Sequence, residues 1–335
     1  MSAPVRLLSC CIGFVLFSLL PLVTLGFAQT SINDVHISPR SITSDLHSAH
    51  PTIPKGLGVI RSTTDLVMVP VTITDNFNRP VTGLDLDNFQ LYEDKKPQQI
   101  KNFSNEDTPV SIGLIVDLSG SMANKIDRTQ EAVAAFCREA NPQDEFFMIT
   151  FADEPQLAVD FTNNTDELQN ALLTIPSKGR TSLLDAIYMG LRKMKDARYP
   201  RKALLILSDG GDNHSRYSER DVKNAARESD VLMYAVGTYD RYVSTQEELL
   251  GPELLQSISD VTGGKAYTLS NVQELPAVVR LIGIQLRHQY VLAYSPETKP
   301  RNGKWYKISV KLRLPSRFHT FLRVNARPGY YASLE

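Results

Sequence analysis

One carboxylate and two hydroxyls recur at i, i+2 and i+4 in Asp117-Leu118-Ser119-Gly120-Ser121, directly after the apolar run Val110–Val116. On a loop leaving a strand, all three oxygens can turn toward one point. Hard oxygen donors of this kind suit a hard divalent cation. Alone the spacing says little, because these residue types are common. Its value comes from where it falls, and from two further segments rich in oxygen donors, Gly179-Arg180-Thr181-Ser182 and Leu207-Ser208-Asp209-Gly210-Gly211.

The elements that must position these segments are legible from hydropathy. Short, wholly apolar runs at Val110–Val116, Phe146–Phe151, Leu157–Phe161, Ala203–Leu207, Val231–Val236 and Ala266–Leu269 alternate with amphipathic stretches at 124–140, 165–174, 182–196, 218–228, 252–261 and 271–288. Apolar runs without polar alternation are strands buried on both faces, and the amphipathic stretches are the helices that cover them. The expected fold is α/β, a doubly wound, mostly parallel six-stranded sheet. Ligands bind such sheets at the carboxyl ends of the strands, where the strand order reverses. Asp117 and Asp209 follow strands directly, and Thr181 opens a helix.

With D-x-S-x-S, a Thr at a helix start and S-D-G after a buried strand in that order, residues 108–288 resemble the von Willebrand factor type A (VWA) domain, a Rossmann-like fold, and its metal-ion-dependent adhesion site. The resemblance implies a metal set of Asp117, Ser119, Ser121, Thr181 and Asp209. Ser119 and Ser121 would bind directly, Asp117 and Asp209 mainly through water, and Thr181 would join or leave with conformational state. With neutral hydroxyls bound directly and both carboxylates acting mainly through water, a divalent ion would keep positive character toward an exchangeable position. An Asp or Glu of a protein partner could fill it. Mg2+ is the default ion, with Mn2+ or Ca2+ as substitutes.

The flanks read as β-structure. Val67, Val69, Val71 and Ile73 alternate with Met68, Pro70, Thr72 and Thr74, which predicts a half-buried strand placed at a sheet edge by Pro70. Phe89–Tyr92 and Ile100–Phe103 predict two more strands, and Tyr306–Leu314 with Phe318–Val324 predicts a hairpin. Segments this small seldom fold alone. Residues 61–107 and 289–335 are therefore expected to share one β-sandwich-like domain, with residues 108–288 inserted between them. Val81–Asp94 and the closing Arg327-Pro328-Gly329-Tyr330-Tyr331 also resemble the flanks of secreted, acidobacterial-type VWA-related proteins.

At the N-terminus, Leu7–Phe27 carries no charged side chain, follows Arg6 and ends in Gly26-Phe27-Ala28. Residues 1–28 fit a signal peptide cleaved near Ala28, which implies export to periplasm, envelope or medium; an uncleaved membrane anchor is the alternative. Residues 29–60, rich in Ser and Pro, read as a tether whose His36, His47 and His50 are too loosely spaced for a metal site. Past the signal only Cys137 remains, so no internal disulfide can form; it reads as a buried apolar residue.

Overall charge is near balance, with 36 Lys and Arg against 37 Asp and Glu, which gives nucleic acid no electrostatic reason to bind. Residues 299–327 hold basic residues and no acid. They read either as a contact for an anionic envelope polymer or as outward charges that guard a sheet edge. The expected activity is recognition of a protein partner through the cation, by a monomeric, non-enzymatic protein. A metal-dependent hydrolase or phosphatase, and a structural envelope protein with a non-functional metal site, are the alternatives. No G-x-S-x-G, H-E-x-x-H or Walker loop occurs. Ser182 and Asp185 read as a helix-capping box, Asp153 and Glu154 as a turn, and Asp212, Asn213 and His214 as loop residues outside the site.

Overall fold

Strands β5 (Ser111–Asp117) and β9 (Val231–Thr238) are buried at every position, the burial that continuous apolar runs encode. The computed structural model describes residues 66–239, 246–296, 302–314 and 321–332, all within the second of the chain's two units, Arg61–Glu335. The apolar leader, the tether and its three histidines lie outside the described residues. No helix among the described residues is long and apolar enough to cross a membrane.

β5 and β9 belong to a six-stranded sheet of order β10-β9-β8-β5-β6-β7. β6 (Glu145–Phe151), β8 (Lys202–Ser208) and β10 (Lys265–Leu269) pair in parallel with their neighbours, whereas the edge strand β7 (Pro155–Thr162) runs antiparallel. Helices α1 (Ile126–Arg138), α2 (Thr165–Thr174) and α6 (Leu275–Arg287) cover one face, and α3 (Leu183–Lys193), α4 (Glu219–Glu228) and α5 (Gln246–Asp260) the other. Leu114 and Val116 point into the first layer and Ile115 into the second. Gly113 is required on β5, because a Cβ there would lie 2.3 Å from Phe147 Cζ and 2.5 Å from a Leu204 methyl. Helix α5 begins at Gln246, ahead of Pro252, where a helix start is expected from the ring's fixed φ.

The flanking strands form two antiparallel sheets. One has the order β13-β1-β11-β4, from β1 (Val67–Thr74), β4 (Ile100–Ser104), β11 (Tyr290–Tyr294) and β13 (Arg323–Ala326). The other has the order β14-β12-β2-β3, from β2 (Phe89–Glu93), β3 (Lys96–Gln98), β12 (Trp305–Leu312) and β14 (Gly329–Tyr331). Val69, Val71 and Ile73, Phe89 and Leu91, Tyr290 and Leu292, and Ile308 make one core, so strands from both ends of the chain bury each other. Within it the buried Glu93 carboxylate accepts from Tyr294 at 2.6 Å and Tyr330 at 3.0 Å, which satisfies it across both sheets.

Two expectations for these flanks are overturned. Pro70 lies on an interior strand, between β13 and β11; β13 pairs only from Val71 onward, so at Pro70 itself the strand has a neighbour on one side alone. The hairpin does not form either. β12 pairs with β2 and β14, whereas β13 crosses to pair with β1, so the returning strand joins the opposite sheet. β1 is also buried on both faces at its end, since Thr72 accepts from Gln289, which reaches Tyr234 on β9. Arg201, 5% exposed, fastens the junction by donating to the Thr108 and Leu286 carbonyls.

Candidate metal centre

Asp117 and Ser208 end two adjacent parallel strands, β5 and β8, at the point where the chain leaves β5 for β6 on one side and β8 lies on the other. The Asp117 carboxylate is fully buried. Its Oδ1 accepts from the Ser119 N–H at 2.8 Å, and its Oδ2 accepts from Ser208 Oγ at 2.6 Å. Ser208 Oγ accepts in turn from the Gly210 N–H at 3.0 Å. The chain itself therefore fixes the carboxylate's orientation.

The remaining donors come from loops tied to this point. Ser119 Oγ and Ser121 Oγ stand 3.1 Å apart, the first buried and the second exposed. The Gly120 N–H donates to the Gly179 carbonyl at 3.1 Å and the Lys178 N–H to the Leu118 carbonyl at 2.9 Å, which joins the serine loop to the threonine loop. Thr181, 5% exposed, donates its N–H to Asn213 Oδ1 at 3.1 Å and accepts at its carbonyl from the Asn213 and His214 N–H groups. Asn213 lies just beyond Asp209, so the second and third segments are clasped together. Asp209 is 3% exposed; its Oδ1 accepts from the Gly211 N–H at 3.4 Å, and Lys125 Nζ lies 4.0 Å from its Oδ2. Lys125 is itself buried and donates to the Thr238 carbonyl at 3.1 Å.

All five residues singled out in the sequence thus lie on loops bonded to one another at the carboxyl ends of β5 and β8. Burial, and secondarily the Asp209 charge, push the Asp117 carboxyl up to about 7. Two acids in one buried pocket favour a cation between them. The donor set of two carboxylates and three hydroxyls, all hard oxygens, fits a divalent ion of the Mg2+ class. The Tyr239 hydroxyl, buried with no hydrogen-bond partner and held above its ordinary range by burial and the Asp209 charge, adds a polar group lacking a ligand of its own. Among the described residues no group of three or more His, Cys, Asp or Glu stands where it could hold a metal.

Several supporting residues escape a sequence reading. Lys125 acts across the sheet and nothing local marks it, and Ser208, although it stands in the S-D-G segment, gives no local sign that its hydroxyl holds Asp117. Asp153 is more than a turn residue, because its Oδ1 accepts the Arg180 N–H at 2.9 Å and steadies the threonine loop. The capping box is absent: Ser182 Oγ donates to the Ala152 carbonyl, and Asp185 accepts from the Arg216 and Tyr217 N–H groups. Asp212 takes over at the start of α3, accepting the Leu184 N–H at 3.2 Å.

Residues 112–211 match the family model described as von Willebrand factor type A domain. A UPF0353 protein of Mycolicibacterium gilvum is 22% identical over 203 residues, covering 53% of this chain and 61% of that protein. Inter-alpha-trypsin inhibitor heavy chain H4 of Bos taurus is 26% identical over 134 residues, covering 35% of this chain and 15% of that one. The chain thus spans about three-fifths or less of the length of these relatives. Among solved structures, a von Willebrand factor type A protein from Catenulispora acidiphila aligns over 81% of this chain and 74% of its own, at 11% identity and a TM-score of 0.48. Mussel proximal thread matrix protein 1, solved with a zinc-occupied MIDAS motif, aligns over 58% of this chain and 49% of its own, at 17% identity and a TM-score of 0.42. Five parallel strands, one antiparallel edge strand and helices on both faces give the central unit the α/β fold of von Willebrand factor type A domains, and Asp117 to Asp209 lie within the segment that matches that family's model.

Proposed function

We propose that this protein is an exported binding protein, of the secreted VWA-related group its flanks resemble, and that it recognises a protein partner through a divalent cation. The observation that carries the reading is the convergence of Asp117, Ser119, Ser121, Thr181 and Asp209 on loops fastened to one another at the strand ends. When bound, the ion supplies a positively charged site for a partner's Asp or Glu carboxylate. Ser119 and Ser121 offer it hydroxyl oxygens, and Asp117 and Asp209 offer negative charge. Ser208 and Asn213 hold Asp117 and Thr181 in place. Mg2+ is the proposed ion, with Mn2+ or Ca2+ as substitutes.

A binding role is favoured over hydrolysis because acid–base chemistry needs a placed base. His214, on the neighbouring loop, has its Nδ1 3.2 Å from Arg180 Nη1, so that nitrogen already has a partner. The test is capture of partners from envelope extract by the immobilised protein. Bound partners are expected to be lost in EDTA and with Asp117→Ala. Partner binding that survives both treatments unchanged excludes the cation bridge, and phosphate or ester turnover abolished by Asp117→Ala would establish the hydrolase instead.

A further inference from the structure

The lysines of β12 stand on a strand flanked by β14 and β2; Lys307 lies opposite Gly329 on β14, whereas Lys311 lies opposite Gln90 on β2 beyond the end of β14, so only Lys311 stands at an open stretch of the sheet. Pairing fixes their direction. Ile308, opposite Glu93, and Val310, opposite Leu91, face the sandwich core, so Trp305, Lys307, Ser309 and Lys311 face outward. Lys307 and Lys311 are exposed, and neither enters an ion pair among the described residues. The nearby Asp94 spends its Oδ1 on the Lys307 N–H, at 3.0 Å.

Aromatic rings share this face. Tyr331 pairs with Trp305 across the strands, with ring centroids 4.9 Å apart, and Lys311 Nζ lies 5.1 Å from the centre of the Tyr92 ring. Gly329 shapes the platform, because a Cβ there would lie 2.6 Å from two atoms of the Trp305 indole; its absence lets the indole lie down against β14. Tyr331 also lines a cleft of about 720 Å3 between the sandwich and α4, whose lining holds Arg192 and Lys195 together with Glu228 and Asp230.

We propose that this face binds an anionic polysaccharide, a sugar ring resting on Trp305 and its acidic groups meeting Lys307 and Lys311. Residues two apart on a strand repeat at roughly 6.6 Å, so the row from Trp305 to Lys311 extends about 20 Å, a length suited to an extended polymer. Lysine, a mobile point charge, tolerates acidic groups at varied positions, where planar fork recognition would call for arginine. The face is separate from the metal centre and its binding does not depend on the cation.

Trp305 is the sole tryptophan of the chain, so its fluorescence reads the site directly. The full chain is titrated with polygalacturonate, with neutral dextran, and with single-stranded DNA of matched charge. Polygalacturonate is expected to shift the Trp305 emission, to bind at least tenfold tighter than either other polymer, and to do so equally in EDTA. The exposed pair Lys307→Gln/Lys311→Gln, whose folding is checked by thermal melting, is expected to lose at least tenfold in affinity. Trp305→Ala should weaken retardation in polygalacturonate-containing gels. No emission change, equal binding of dextran, DNA binding as tight or tighter, loss in EDTA, or full affinity in the lysine pair would each overturn the proposal.

Discussion

Asp117 is held by two hydrogen bonds from its own chain, and the stronger constraint comes from a residue far away in sequence. Replacing Ser208 with Ala removes the 2.6 Å donor to a buried carboxylate oxygen and also the acceptor for the Gly210 N–H. Unsatisfied buried groups cost about 1–3 kcal/mol, so Ser208→Ala should lower stability in EDTA by that order in a denaturant melt, and Ser208→Thr, which keeps the hydroxyl, should lose less. Cys137 gives a second prediction. Burial pushes its thiol up to about 12 from an ordinary value of 9.0, so the thiolate is suppressed in the folded chain. At pH 8 iodoacetamide should leave Cys137 unlabelled in the native protein and modify it fully in urea; rapid native labelling would contradict its place in the core. At this scale the sequence displays the five candidate ligands through spacing and position. The roles of Asn213 and Lys125 are not legible in it, nor is the bond from Ser208 to Asp117, because the partners lie 32, 113 and 91 residues away and only strand order brings them together.

Strands of the central sheet are read almost residue for residue from hydropathy, since burial on both faces leaves no room for polar alternation. Tight packing in that sheet makes Gly113→Ala a sharp test. The added methyl collides with Phe147 and Leu204, and overpacking of this kind costs about 1–3 kcal/mol, visible as a lowered melting temperature with the fold retained. A neutral substitution would mean that the Phe147 and Leu204 side chains can give way and that the packing over Gly113 is looser than it stands here. The flanks are harder to read. Alternation reveals that β1, β12 and β13 are strands but not which neighbour each takes, and sequence adjacency wrongly joins β12 to β13. Pro70 misleads for a related reason: β13 stops short of it, so the strand is interior in the sheet yet open at that residue.

As a whole, the molecule joins its two ends through β1 and β11, which pair from Val67 with Tyr294 to Val71 with Tyr290. Ending the chain after residue 288 removes β11, β12, β13 and β14, and with them every strand bonded to β1. Hydrogen exchange should then show β1 amides unprotected while those of β5 and β8 stay protected. Continued protection of β1 would mean that the N-terminal flank folds without the C-terminal one. The central claim, that the loops at the ends of β5 and β8 hold a divalent cation, is tested most directly by calorimetric titration of the metal-free chain with Mn2+. One saturable site that vanishes in both Asp117→Ala and Ser119→Ala is the predicted result, and absence of binding, or binding that both substitutions leave unchanged, would contradict it.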